Sequence, residues 1–243
     1  MIIAAKKLMF GVLAMALCAV MIVLSVNLTQ KIGDIAASGE GLIKPPTVLV
    51  DAGHGGVDGG AVSPIDGTVE KSLNLQIACK LRDMLRMFGV QVKMTRESDI
   101  SVHDDDAQTI RRKKVTDLKN RLNMLNNGCC DTLISVHMNI FSQGKYHGTQ
   151  VFYGGLNPQS EVLAKSVQEN IKSLIQQDNS RVQKKSGKNI YLLYNARKPA
   201  IMAECGFLSN SDDLSLLKTH EYQMKIAGAI SCGFIAYKFG EEN

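Results

Sequence analysis

Residues 47–60 read TVLVDAGHGGVDGG, and the fold turns on this stretch. Thr47 to Asp51 is a β-branched apolar run without alternation, the pattern of a strand buried on both faces of a helix-covered sheet. The glycine-rich turn behind it, with glycines at 53, 55, 56, 59 and 60, lets the backbone reverse tightly around His54. From Glu70 to Phe88 the apolar residues Leu73, Ile77, Leu81 and Leu85 recur every four positions, which predicts an amphipathic helix ended by Gly89. Val90 to Thr95 then returns as a second strand, completing a strand–helix–strand unit.

The same alternation continues downstream. Asp131 to Val136 (DTLISV), Thr149 to Tyr153 (TQVFY, with an antiparallel option), Tyr191 to Tyr194 and Ala200 to Glu204 (AIMAE) are expected strands. Helices are expected over Asp117–Asn127 and Pro158–Gln176, with one or two more between Ser211 and Phe239. Ser98 to Lys114, which runs from the acidic HDDD at His103 to the basic RRKK at Arg111, reads as a mobile surface excursion. The sum is one α/β domain whose mostly parallel (mixed), roughly six-stranded sheet carries helices on both faces.

Ahead of it, Leu8 to Val26 carries no charge and, at about 1.5 Å per residue, nearly spans a hydrocarbon core of about 30 Å. Lys6 and Lys7 precede that segment, so the N-terminus stays inside and everything after Asn27 lies outside. Residues 1–29 are therefore a membrane anchor or signal segment, 30–46 a polar linker, and 47–243 the catalytic domain. The net charge of +5 is local, and no nucleic-acid module accompanies it, so no nucleic acid is expected as partner. Six cysteines show no paired spacing; Cys79 and Cys232 read as small buried hydrophobes.

Ligands of open α/β sheets bind beyond the carboxyl ends of the strands, where His54, His137 and Glu204 fall; the short turn brings Glu70, at a helix start, over the same edge. Two neutral imidazoles and a carboxylate make the ligand set of a catalytic zinc, with a fourth position left for water. Glu204 is placed to take a proton from that water and pass it to a leaving amine. Asp51 either orients a liganding histidine or caps the turn. Arg96 braces the edge or pairs with a carboxylate, whereas Asn139 and Asn210 either bind substrate amides or satisfy turns. His103, His147 and His220 are read as structural or surface residues.

VDAGHGG, the EK opening a helix at Glu70, TR after the second strand, SVHMN and ECGFLSN together resemble the zinc-dependent N-acetylmuramoyl-L-alanine amidases (amidase_3 type), over about Val48 to Phe239. The resemblance implies hydrolysis of the amide between the lactyl group of N-acetylmuramic acid and L-alanine of the peptidoglycan stem peptide. It implies one Zn2+ on His54, Glu70 and His137, and Glu204 as catalytic residue. Ile140, where alanine is common, and Cys205 depart from the pattern. RRKKVTDLKNR and the anchor are similar to the spore-cortex, germination-specific branch, which implies muramic-δ-lactam formation in the forespore intermembrane space and an accessory activating protein. Three other readings compete: a Cys205 thiol hydrolase, an inactive peptidoglycan- or partner-binding module, and a zinc glycan deacetylase.

Overall fold

The computed structural model describes residues 44–240. The anchor expected over 1–29 and most of the 30–46 linker lie outside the described residues. Among the described residues no helix is long and apolar enough to cross a membrane.

Six strands form one sheet: β1 (Thr47–Ala52), β2 (Gln91–Met94), β3 (Thr132–Asn139), β4 (Gln150–Tyr153), β5 (Lys184–Lys185) and β6 (Ala200–Phe207), in the order β2-β1-β3-β6-β4-β5. All neighbours are parallel except β4 and β6, which run antiparallel as the sequence allowed. The chain goes from β1 outward to β2 and then back across to β3, so a topological switch point opens between β1 and β3.

Alternation along each strand divides the core between the two faces. Val48, Val50, Ile134, Val136, Ile201 and Ala203 pack against helices α1 (Glu70–Met87), α3 (Gln159–Leu174) and α6 (His220–Phe239). Leu49, Leu133 and Met202 face the other way, toward Leu125 of α2 (Ile110–Asn126) and Leu192 and Leu193 of α4 (Tyr191–Tyr194). Helix α5 (Ser211–Leu217) follows β6, so the expected Ser211–Phe239 region divides into two helices.

Three sequence expectations need correcting. Helix α2 begins at Ile110, not Asp117, and takes RRKK into its first turns behind the N-cap Thr109, whose side chain accepts from Arg112 N. Its inward face is Thr116, Asp117 and Arg121, so a helix whose buried side is polar carries no apolar period to read. The excursion before it is tied down: Val102 N donates to Asp117 Oδ1 (2.7 Å) and Asn120 Nδ2 to Val102 O (2.8 Å).

Tyr191–Tyr194 is a helical turn. Leu192 and Leu193 are consecutive and both buried in one cluster, which a strand cannot arrange on a single face. The fifth strand is instead the exposed pair Lys184–Lys185. Cys79 and Cys232 are half-buried in a groove between α1 and α6, not core residues.

Candidate metal centre

Past β1 the chain enters Gly53 and then His54, whose φ of 62° is the only positive value on a non-glycine among the described residues. That left-handed conformation costs roughly 1–2 kcal/mol for a residue with a Cβ, so the surroundings must hold it. Two buried guanidinium groups do so by gathering the carbonyls of the turn. Arg121 donates to Ala52 O (2.9 Å) and His54 O (2.7 Å), and Arg96 to Ala52 O and Gly53 O (both 2.9 Å). Arg96 therefore braces the edge, the first of its two expected roles.

Arg121 is anchored in turn by Asp51 (2.5 Å) and Asp117 (2.6 Å). Asp51 fills neither expected role: it accepts from Arg121, Thr95 and Ser135 beneath the turn. Burial raises its carboxyl, but Arg121 foremost, with the hydroxyls, holds it at about 2.

The turn brings His54 against Glu70 and His137. Nε2 of His54 lies 3.3 Å from Glu70 Oε2, and Nδ1 of His137 lies 3.0 Å from Glu70 Oε1. One ligand atom from each residue falls within 4.8 Å of the others. Two ligands on opposite arms of a tetrahedral zinc at about 2.0–2.1 Å are separated by roughly 3.3 Å, so the donor set fits the ion. Space is reserved as well. A Cβ at Gly53 would fall on the His137 ring, and one at Gly60 would press on Glu70 and the His54 ring.

Each donor is oriented by something else. Nδ1 of His54 meets Asp58 Oδ2 at 2.8 Å, which leaves Nε2 with its lone pair toward the cluster. Asp58 is paired on its other oxygen with Lys114 (2.7 Å). Glu70 accepts from Ala61 N (2.8 Å), Met138 N (3.1 Å) and Asn74 Nδ2 (3.1 Å), and a register shift in β3 between His137 and Asn139 turns His137 inward. Burial works against a charged His54, yet Asp58 and Glu70 outweigh it and raise the imidazole to about 9. The site stabilises positive charge.

Glu204 stands beside His137 in the β3–β6 register, inside β6 and not at its end. Its Oε2 is sealed from solvent with no hydrogen-bond partner. Burial raises this carboxyl to about 7, the charge of Glu70 adding to the rise and His137 and His54 opposing it. A carboxyl near 7 beside a cation-binding cluster is poised for proton transfer. His54, His137 and Glu204 open into a cleft of about 430 Å³ lined also by Lys114, Asn139 and Tyr191.

The next residue along, Cys205, is fully buried in the apolar core, and burial pushes its thiol far up. A thiolate nucleophile there has no support. Asn139 faces the cleft, whereas Asn210 caps α5 through Asp212 N and Asp213 N. His103, His147 and His220 stand outside the cluster. Sequence reading missed Asp58, Lys114 and Arg121; the i, i+4 spacing of His54 and Asp58 was the one local signal.

A family model described as N-acetylmuramoyl-L-alanine amidase matches residues 48–236. The chain is 35% identical over 190 residues to the germination-specific N-acetylmuramoyl-L-alanine amidase of Bacillus subtilis (strain 168), covering 78% of each. A structure of the CwlD amidase from Clostridioides difficile in complex with the GerS lipoprotein superimposes with a TM-score of 0.76 at 40% identity, over 79% of this chain and 98% of that one. An N-acetylmuramoyl-L-alanine amidase from Clostridium difficile 630 gives 0.70 at 30% identity, over 82% and 99%.

Proposed function

The chain belongs to the N-acetylmuramoyl-L-alanine amidase family, and from that membership we propose that it is a zinc enzyme using His54, Glu70 and His137 as ligands and Glu204 as the catalytic residue. It hydrolyses the amide between the lactyl group of N-acetylmuramic acid and L-alanine of the stem peptide. The observation that carries the reading is the meeting of three oriented donors with the unpartnered carboxylate oxygen of Glu204.

Zinc held by His54 Nε2, Glu70 and His137 Nδ1 supplies a Lewis acid for the scissile carbonyl and lowers the pKa of water toward about 7. Glu204 accepts the proton of the attacking water as its oxygen bonds to the carbonyl carbon. Glu204 then returns that proton to the alanine nitrogen as the carbon–nitrogen bond breaks, so both products leave with balanced charge. Asp58 holds the His54 tautomer throughout, and Arg121 and Arg96 fix the turn that presents His54.

Two expected results follow. Mass spectrometry of purified peptidoglycan should show stem peptides freed from intact glycan, blocked by chelator and restored by zinc. Release of acetate instead would make it a deacetylase, and no release would make it a binding module. Asp58→Ala should weaken zinc about 10–100-fold in competition with a chromophoric chelator; unchanged affinity removes Asp58 from its orienting role.

The family and the germination-specific relative further support action outside the membrane in spore-cortex maturation, where stem-peptide removal precedes muramic-δ-lactam formation. The apolar run Leu8–Val26 supports an anchored, extracytoplasmic domain spanning 47–243 in the forespore intermembrane space. The relative solved with a lipoprotein supports an accessory protein as partner.

A further inference from the structure

Beyond His137 the chain of β3 continues through Asn139 into Ile140 and Phe141, which are 42% and 49% exposed. Phe141 stands edge-on to Tyr146, their ring centroids 4.9 Å apart, and Tyr146 packs in turn over Phe207. An exposed aromatic pair is costly to hydrate and usually marks a contact surface.

This pair is also held in place. Leu208 N donates to Asn139 O (2.8 Å), Phe141 N to Ser209 Oγ (3.1 Å) and Asn210 Nδ2 to Gly144 O (2.7 Å). The loop is therefore stitched to the segment that follows β6. Between these parts lies a shallow cavity of about 510 Å³ in which Pro64, Ile140 and Phe141 meet Ser142, Gly144 and Ser209. Apolar faces and hydroxyls alternate there. At about 3.3 Å per strand residue, Phe141 lies within about 13 Å of His137, the scale of a disaccharide.

We propose that Phe141 and Tyr146, with the cavity beside them, form a saccharide subsite that holds the glycan strand flanking the muramoyl residue whose amide is cut. A pyranose offers what this surface matches: an apolar ring face for stacking and a rim of hydroxyls for Ser142, Ser209 and the loop backbone. The subsite rests on the amidase reading for its substrate but uses none of the metal cluster or Glu204.

The test uses the full chain and peptide-free peptidoglycan glycan strands as the probe, with binding read by co-sedimentation. Stem-peptide release is measured in parallel on intact peptidoglycan and on a single N-acetylmuramoyl peptide. Phe141→Ala should weaken glycan binding and raise KM on the polymer about 3–10-fold, with hydrolysis of the single-sugar substrate unchanged and Phe141→Tyr restoring both. Leu156→Ala, an exposed apolar residue in the loop after β4, should change neither. Glycan binding by Phe141→Ala equal to that of the unaltered chain would overturn the subsite and leave the face to a protein partner. An equal loss on the single-sugar substrate would also overturn it, because Phe141 would then act through the reaction centre. Glycan binding that depends on Phe141 in a protein that frees no stem peptide would uphold the subsite and sink the amidase reading alone.

Discussion

Glu204→Gln should lower kcat for stem-peptide release by about 10²–10⁴-fold, the usual contribution of a positioned acid–base group. Glutamine keeps the shape of the side chain inside β6 but can neither take a proton from water nor return one to the alanine nitrogen. Because Glu204 is no ligand in this arrangement, zinc content and affinity should stay those of the unaltered protein. His54→Ala should lose both metal and activity. The contrast separates the two roles: a Glu204→Gln protein that also loses zinc would place residue 204 on the ion, and one that keeps its rate would need another base. The raised carboxyl bears on the same point. Burial lifts it to about 7 before any cation arrives, and a cation on the neighbouring cluster favours the ionised form that a base requires.

The largest stability effect is expected from Arg121→Met. Arg121 is 2% exposed and paired with Asp51, itself 1% exposed. Removing the guanidinium leaves a buried carboxylate with only Thr95 and Ser135, and releases the carbonyls of Ala52 and His54. Breaking a buried pair from one side costs about 3–5 kcal/mol, so the melting temperature should fall by roughly 6–20 °C for a domain of this size.

The pH dependence carries a sign. In the intact protein the folded-state pKa of Asp51 is depressed from 3.8 to about 2. Its contribution is thus present above pH 4 and lost only as pH falls through about 2. Without Arg121 the desolvation that raises the carboxyl is left without its main opponent. The folded pKa then moves up, and protonation relieves the variant. Denaturant unfolding of both proteins from pH 7 to pH 4 should show the gap narrowing on acidification; a gap independent of pH would mean that Asp51 is not the group left stranded.

How much of this could be read from residues alone depended on where apolar side chains point. β1, α1 and the strands carrying His137 and Glu204 announce themselves because their inward faces are hydrophobic, and the resemblance named all four members of the cluster by position. Helix α2 stayed hidden because what it turns inward is Thr116, Asp117 and Arg121, a polar face that answers the buried Asp51. No local pattern joins Arg121 to residues 51, 52 and 54, some 67–70 positions away. Tyr191–Tyr194 misled for a related reason: a short β-like composition has no period long enough to tell a strand from one helical turn. The orienting role of Asp58 needed the left-handed backbone at His54, which places the ring back over its own turn.

Anomalous diffraction from crystals of the zinc-loaded protein at the zinc edge addresses the shared ligand set most directly. One peak is expected, about 2.0–2.2 Å from His54 Nε2, a Glu70 carboxylate oxygen and His137 Nδ1, with Glu204 outside bonding distance. A zinc peak anywhere else, or one in which Asp58 or Glu204 replaces Glu70 as a ligand, would contradict the account.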